Sequence, residues 1–342
     1  MIRTGLIGYG LGGMAFHAPL IDAVPELELA AIVTSRVGPV QERYPQAQVV
    51  SDVATLLADP GIGLVVVSTP NDTHFPLARA ALEAGKHVVI DKPFANAVAE
   101  AESLIGLAEA RGTLLSVFHN RRWDGDFLTL RNLIDQGKLG EITLYEARWD
   151  RFRPGLRDSW HETAGPGGGN LIDLGPHLID QALTLFGDPE KVAGDIIAQR
   201  EGSLVDDYFE LTLHYGGMRA ILSSASIVPA PRPRFAVHGT QASFVKYGID
   251  PQEARLRAGG RADDPGHGVE DPAHYGVLVS SDGSKQPVPS ERGDYRRFYA
   301  GVAQAIETQA PPPVPPVDAL AGLRIIELAR QSAAEGRTLP FR

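Results

Sequence analysis

The 342-residue sequence contains no cysteine, which excludes disulfide cross-links, thiolate metal centres and a cysteine nucleophile. Basic residues are in deficit: 32 Lys and Arg against 42 Asp and Glu give a formal charge of −10 at pH 7. No basic block offers a footprint for a polyanion, so nucleic acid is not an expected partner. No run of 18 apolar residues occurs, and the chain opens straight into a strand-like run with no basic region, apolar stretch and cleavage site before it. The expectation is a soluble cytoplasmic protein with no membrane partner. At about 150 residues per domain, the length suggests roughly two domains.

What is abundant is glycine, and its placement organises the chain. In MIRTGLIGYGLGGM an apolar run, Leu6 and Ile7, stops at a G-x-G-x-x-G spacing made by Gly8, Gly10 and Gly13, with Leu11 between them. Gly8 permits a tight turn, Gly10 lets the backbone approach a pyrophosphate, and Gly13 lets the following helix pack on the strand. A glycine-rich turn without a ligand has the same composition. The strand before it and the helix-like segment Met14 to Ala23 after it favour a dinucleotide site. Apolar runs then alternate with helix-like segments: strands at 27–33, 48–50, 64–68, 87–90 and 114–118, helices at 39–44, 53–58, 75–84 and 98–110. That alternation predicts a doubly wound parallel sheet closing near residue 120.

An acidic residue ending the second strand of such a fold holds a ribose 2′-hydroxyl, whereas an arginine there accommodates a 2′-phosphate. This chain has Thr34, Ser35 and Arg36. With no carboxylate to repel a phosphate, and with Ser35 and Arg36 as donors, NADP is favoured over NAD. An ordinary polar turn, with NAD as cofactor, is the other reading. Two further stretches end predicted strands on the ligand side of the sheet. One runs from Ser68 through Thr69, Pro70 and Asn71 to His74, and the other is Asp91-Lys92-Pro93. Helix caps or a solvated ion pair would also account for them.

Beyond His119 the pattern changes to Asn120-Arg121-Arg122-Trp123-Asp124, a helix over 126–136 and an alternating strand within 141–152. On that strand Ile142, Leu144, Glu146 and Arg148 share one face, and Thr143, Tyr145, Ala147 and Trp149 the other. The arginine-rich loop 150–158 can hold polyol hydroxyls or simply face solvent. A second chemical centre is GGGNLIDLGPH at 167–177, where a helix running to Phe186 sets Asp173 and His177 at i and i+4 on one face. A capping Asp and a satisfied, half-buried His would look the same in isolation. Strands at 192–198, 207–215, 218–227, 234–238 and 243–247 predict one mainly antiparallel sheet. The Asp- and His-bearing segment 257–275 matches no metal-ligand spacing and reads as a solvated loop, so no metal is expected. A helix at 295–307, a Pro-rich linker at 311–316 and a helix at 317–335 complete the second domain, residues 121–342.

Taken together, G-x-G-x-x-G at 8–13, TPNDTHF at 69–75, DKP at 91–93 and GGGNLIDLGPH at 167–177 resemble the Gfo/Idh/MocA oxidoreductases, in the order and at the separations usual there. Asp91 stands where that family usually has Glu. The stretches FHAPL (16–20), SVFHNRRWDGDFLTL (116–130), DRFRP (150–154) and VKYGIDPQEARL (245–256) are most similar to the bacterial branch that includes NADP-dependent scyllo-inositol dehydrogenase. The resemblance implies an N-terminal Rossmann domain and a C-terminal α+β domain with a large open sheet and helices on one face. It also implies hydride transfer between nicotinamide and a carbinol carbon of a cyclic polyol or sugar, with Lys92, Asp173 and His177 around that carbon. His177, of a residue type titrating near ~6.5, would exchange the proton. Lys92 would hold the oxygen that becomes the carbonyl, and Asp173 would orient His177 or bind a neighbouring hydroxyl. Gly8, Gly10, Leu11, Gly13, Ser35, Arg36, Thr69, Pro70, Asn71, His74, Asp91, Lys92 and Asn120 would bind the cofactor. Arg121, Trp123, Asp150, Arg153 and Trp160 would line the substrate pocket, and a homodimer or homotetramer would be the assembly. Another sugar derivative as substrate, or a non-catalytic nicotinamide sensor, are the alternatives.

Overall fold

A computed structural model of the chain describes every residue except 158, 160, 161, 166 and 342. Residues 1–120 alternate strands and helices: β1 (Ile2–Ile7), α1 (Ala18–Asp22), β2 (Leu27–Val33), α2 (Val37–Arg43), β3 (Gln48–Val50), α3 (Val53–Ala58), β4 (Leu64–Val67), α4 (His74–Glu83), β5 (His87–Ile90), α5 (Val98–Arg111) and β6 (Leu115–Val117). The six strands form one parallel sheet in the order β3-β2-β1-β4-β5-β6. This is the doubly wound nucleotide-binding order, with its switch point between β1 and β4. Its central strands carry apolar runs because helices cover both faces; Leu64, Val65, Val66 and Val67 are all fully buried. At the helix expected over Met14 to Ala23, the structure differs in kind. Residues 11–22 are helical, but Gly13–His17 is a wider turn of π-helix leading into α1.

The remaining elements are α6 (Gly125–Asp135), β7 (Ile142–Arg148), α7 (Asn170–Phe186), β8 (Lys191–Ile197), β9 (Tyr208–Tyr215), β10 (Met218–Ala225), β11 (Phe235–Gly239), β12 (Ala242–Lys246), α8 (Gln252–Arg257), β13 (Gly276–Ser280), β14 (Lys285–Val288), α9 (Arg296–Thr308), α10 (Pro316–Glu335) and β15 (Leu339–Pro340). Nine strands form a second sheet in the order β14-β13-β12-β11-β7-β10-β9-β8-β15. All its pairings are antiparallel except β7 with β10. On β7 the alternation holds from Tyr145 onward, with Tyr145 and Ala147 fully buried and Glu146 and Arg148 half-buried between and beyond them; Thr143, on the buried face, is exposed near the strand's start. That inner face meets Leu171, Leu174, Leu178 and Ile179 of α7 and Ile325 and Ile326 of α10 in one core with Phe209, Leu211, Phe235 and Phe244. Each such side chain, buried completely, contributes about 1.5–3 kcal/mol.

By contacts the chain divides into two units. The first holds Met1–Asn120, Pro251–His267 and Asp294–Leu320, and the second holds Arg121–Asp250, Gly268–Gly293 and Ala321–Arg342. Two segments that a single division at 120/121 assigns to the second domain therefore group with the first. The physical reason is their side chains. Tyr295, Phe298 and Tyr299 of the α9 segment are fully buried, and the Tyr295 N–H donates to Gln252 Oε1 at 2.8 Å. The Pro-rich stretch 311–316 is likewise anchored: Val314 is fully buried and its carbonyl accepts a 2.8 Å bond from Ser116 Oγ.

Candidate functional site

In the first unit the glycine turn sits at the carboxyl end of β1, at the sheet's switch point. Gly8 has φ +99°, and a Cβ there would lie 2.1 Å from the Ser68 carbonyl oxygen. A Cβ on Gly13 would lie 2.2 Å from the Gly8 carbonyl oxygen. Only glycine fits either position. At Gly10 a Cβ would meet nothing within 4 Å, which leaves the backbone open to a ligand, as a pyrophosphate cradle requires. Leu11, beside it, is half exposed. Sequence reasoning passed over Gly12, although it stands in the same GYGLGG run. A Cβ there would meet Ser68 Oγ at 2.6 Å and Asp91 Oδ2 at 2.8 Å, so its absence lets the helix start pack against both loops.

Ser35 and Arg36 stand exposed at the end of β2, where the Arg36 N–H donates to Thr34 Oγ1 at 3.1 Å. After β4, Thr69 is half-buried, Pro70 exposed and Asn71 buried at the start of a short 3-10 turn, Asn71–Thr73. His74 begins α4 fully enclosed, with Nδ1 at 2.8 Å from the Pro93 carbonyl oxygen and Nε2 at 3.0 Å from that of Thr69. It thereby ties the loop after β4 to the loop after β5. Burial pushes its imidazole below the ordinary histidine range, against the opposing pull of Asp91 and of the two carbonyls. Asp91 and Lys92 are half-buried, and the Lys92–Pro93 peptide is cis. Asp91 is held on several sides: Oδ1 accepts the Lys92 N–H at 2.8 Å, Oδ2 accepts from Ser68 Oγ at 3.2 Å, and His17 Nε2 lies 3.1 Å from Oδ2. Burial would raise its carboxyl, but His17, Lys92 and His74 bring it down to about 2. Asn120 is buried at the start of the turn Asn120–Trp123.

In the second unit, α7 carries Asp173 and His177 on one face as the i, i+4 spacing predicts. Its N-terminus is set by Asp206, which sequence reasoning did not single out. The Asp206 carbonyl accepts the Asn170 N–H at 2.9 Å and its carboxylate accepts the Leu171 N–H at 2.7 Å. Gly169, at φ +93°, gives that carboxylate its space, since a Cβ would lie 2.1 Å from Asp206 Oδ1. Pro176 lies inside the helix. Asp173 Oδ2 accepts from Arg151 Nη1 at 3.2 Å. Both line a small open cavity together with Arg153, Asn170, Arg200 and Ser226.

His177 is 6% exposed, and its ring stacks on Trp149 at 5.8 Å between centroids, 29° between planes. Arg121 and Arg234 lie over the same indole, their guanidinium carbons 4.7 and 5.1 Å from the ring centroid. Asp150, expected among the substrate residues, grips Arg232 with both oxygens, at 2.6 and 2.8 Å, and accepts the Ala225 N–H. The Arg153 N–H donates to the Ser226 carbonyl at 2.6 Å. Trp123 is half-buried in the turn that starts at Asn120, and Trp160 lies outside the described residues. Lys92 thus belongs to one unit, and Asp173 and His177 to the other.

Residues 2–119 match the family model described as the NAD-binding Rossmann fold of the Gfo/Idh/MocA oxidoreductases, and residues 131–341 match the model of their C-terminal alpha/beta domain. The chain belongs to the Gfo/Idh/MocA oxidoreductase family. It is 44% identical, over 99% of its length and 95% of the relative's, to the scyllo-inositol 2-dehydrogenase (NADP(+)) IolW of Bacillus subtilis. It is 46% identical, over 99% and 98%, to the oxidoreductase YdgJ of Escherichia coli. Among solved structures, the oxidoreductase YvaA of Bacillus subtilis superposes with a TM-score of 0.97 at 44% identity, covering 100% of this chain and 98% of that one. Like its Gfo/Idh/MocA relatives, the chain is a nicotinamide-dependent oxidoreductase acting on CH–OH groups, with an NAD-binding Rossmann domain. Among the described residues no helix is long and apolar enough to cross a membrane.

Proposed function

We propose that the protein is an NADP-dependent dehydrogenase of a cyclic polyol, with scyllo-inositol and its inosose as the substrate pair. The observation that carries this reading is the 44% identity, end to end, with a scyllo-inositol 2-dehydrogenase (NADP(+)). The exposed Ser35-Arg36 pair after β2, with no carboxylate beside it, supports the preference for NADP. The open backbone at Gly10 and the α-carbon contacts of Gly8 and Gly13 fit a bound pyrophosphate, and Asn71, His74 and Asp91 frame the same end of the sheet. When bound, the nicotinamide supplies the hydride acceptor.

This chain's own residues prepare the carbinol. The Lys92 ammonium donates to the carbinol oxygen and stabilises the charge that develops on it. His177 accepts the hydroxyl proton at its imidazole and returns it in the reverse direction. Trp149, stacked on that imidazole, limits its rotation. Asp173, held by Arg151, receives a neighbouring hydroxyl or orients His177. The arginines beside it offer fixed N–H donors to further hydroxyls.

The deciding assay follows NADPH formation by the purified protein on scyllo-inositol, myo-inositol and a panel of aldoses, with NAD run in parallel. A preference for scyllo-inositol and NADP is expected. Turnover of aldoses alone overturns the substrate, and NADPH binding without any turnover favours a sensor.

A further inference from the structure

The proposed chemistry leaves the histidine of FHAPL without a role. His17 is fully buried, at the end of the π-helical turn that follows the glycines. Its ring is fixed on both sides. Nδ1 lies 2.6 Å from Tyr299 Oη and Nε2 lies 3.1 Å from Asp91 Oδ2, while Phe118 packs against the ring at 4.5 Å between centroids. Burial, with the Asp91 charge adding to it, pushes the Tyr299 phenol well above its ordinary range, so the phenol keeps its proton. The Asp91 carboxylate, an acceptor only, calls for the ring proton on Nε2, which leaves Nδ1 to accept from Tyr299. Nε2 is then the N–H that faces Asp91.

From Asp91 the chain of contacts runs directly into the next residue. Oδ2 takes His17 and Ser68, and Oδ1 accepts the Lys92 backbone N–H at 2.8 Å. On the far side, the Pro93 carbonyl oxygen is held at 2.8 Å by His74 Nδ1. The Lys92 N–H is therefore held by a carboxylate that His17 approaches, and the carbonyl one residue further on is held by His74, so the long side chain starts from a fixed base. The carboxylate itself is 22% exposed, whereas His17 is not exposed at all. The path from Tyr299 to Lys92 thus begins in the core of the first unit and ends at the ligand side of its sheet. All of these residues belong to that unit.

We propose that His17 is a positioning residue for Lys92: with Tyr299 it pins the Asp91 carboxylate, and Asp91 fixes the peptide from which the Lys92 ammonium is presented. The inference rests on the role given to Lys92 in the proposed function. It differs from simple core packing because it predicts a loss in turnover without a matching loss in cofactor binding.

The test compares wild type with His17→Gln, Tyr299→Phe and the double variant. Tyr299→Phe keeps the ring and removes only the hydroxyl, so it carries the test if His17→Gln does not fold. His17→Gln should lower kcat at least tenfold and Tyr299→Phe three- to tenfold, with the NADPH Kd, read by nicotinamide fluorescence, within twofold of wild type. The double variant should be no more than twofold slower than His17→Gln, because both act through one chain of bonds. Hydrogen exchange followed by mass spectrometry should show the Lys92 amide exchanging at least fivefold faster in both single variants. An unchanged Lys92 amide and unchanged kcat in folded Tyr299→Phe overturn the inference, as do equal losses in kcat and NADPH binding. If wild type turns over no polyol, the proposed function fails separately, and the Lys92 amide exchange still decides this inference.

Discussion

The glycine turn after β1 and the helix α7 both present chemistry at the end of a sheet, yet they are built by opposite means. At the turn, backbone meets backbone: the α-carbons of Gly8 and Gly13 approach carbonyl oxygens too closely for any side chain. At α7, side chains do the holding. Arg122 clasps Asp180 with bonds of 2.7, 3.0 and 3.2 Å, Gln181 bridges the Arg121 carbonyl and Arg234, and Asp206 caps the first turn. A site of the first kind is specified locally, by residue types that admit no substitute. One of the second kind depends on partners 35 to 60 residues away, and its residue types are common everywhere.

Breaking the turn should have the largest effect. Gly8→Ala forces a side chain into a carbonyl at a positive φ and is expected to cost more than about 3 kcal/mol, measured by urea denaturation. Lys92→Ala should lower turnover by two to four orders of magnitude while the NADPH Kd moves less than about threefold; normal turnover would remove Lys92 from catalysis. The side-chain clasp is tested by Arg122→Met, which takes the guanidinium away from a carboxylate that is only 4% exposed. A loss of about 3–5 kcal/mol is expected, and a loss below about 1 kcal/mol would reduce the pair to a surface contact and erase the contrast between the two regions.

Asp91 sharpens it further. Because its folded carboxyl titrates near 2, below the ordinary 3.8, the stability it lends is complete above pH about 4 and is lost as the pH falls toward 2. That contribution is about 2 kcal/mol, so the gap between wild type and Asp91→Asn in denaturation should be wide at pH 7 and shrink by pH 3. The smallest effect on the fold is expected at Gly10→Ala. No protein atom lies within 4 Å of the new methyl group, so Tm should stay within about 2 °C while NADPH affinity falls at least tenfold. A large drop in Tm would show that Gly10, like Gly8, serves the backbone rather than the ligand.

The first sheet was legible strand by strand. Parallel strands covered on both faces must be apolar throughout, and the runs at 64–67 and 87–90 carry that signal without any partner being known. The hairpin of β13 and β14 went unread although Asp282-Gly283 marks its turn, because β14 is exposed and lacks the apolar alternation that would announce a strand. α8, six residues long with two of them buried, is also too short for a helical period to register. Within the site, the spacing of Asp173 and His177 was readable because a helix fixes it. The engagement of Asp150 with Arg232, 82 residues away, was not, because a carboxylate in a loop looks the same whether it meets substrate or a guanidinium.

By itself the sequence determined the parallel nucleotide-binding sheet, its glycine turn and the face shared by Asp173 and His177. Each follows from local backbone geometry or from a short period of burial. Only the tertiary structure decided that Tyr299 from α9 belongs with His17 and Asp91 in the first unit, and that Asp206 caps α7. Those choices depend on which distant segments satisfy a buried polar group, and that need leaves no mark on the spacing of residues along the chain.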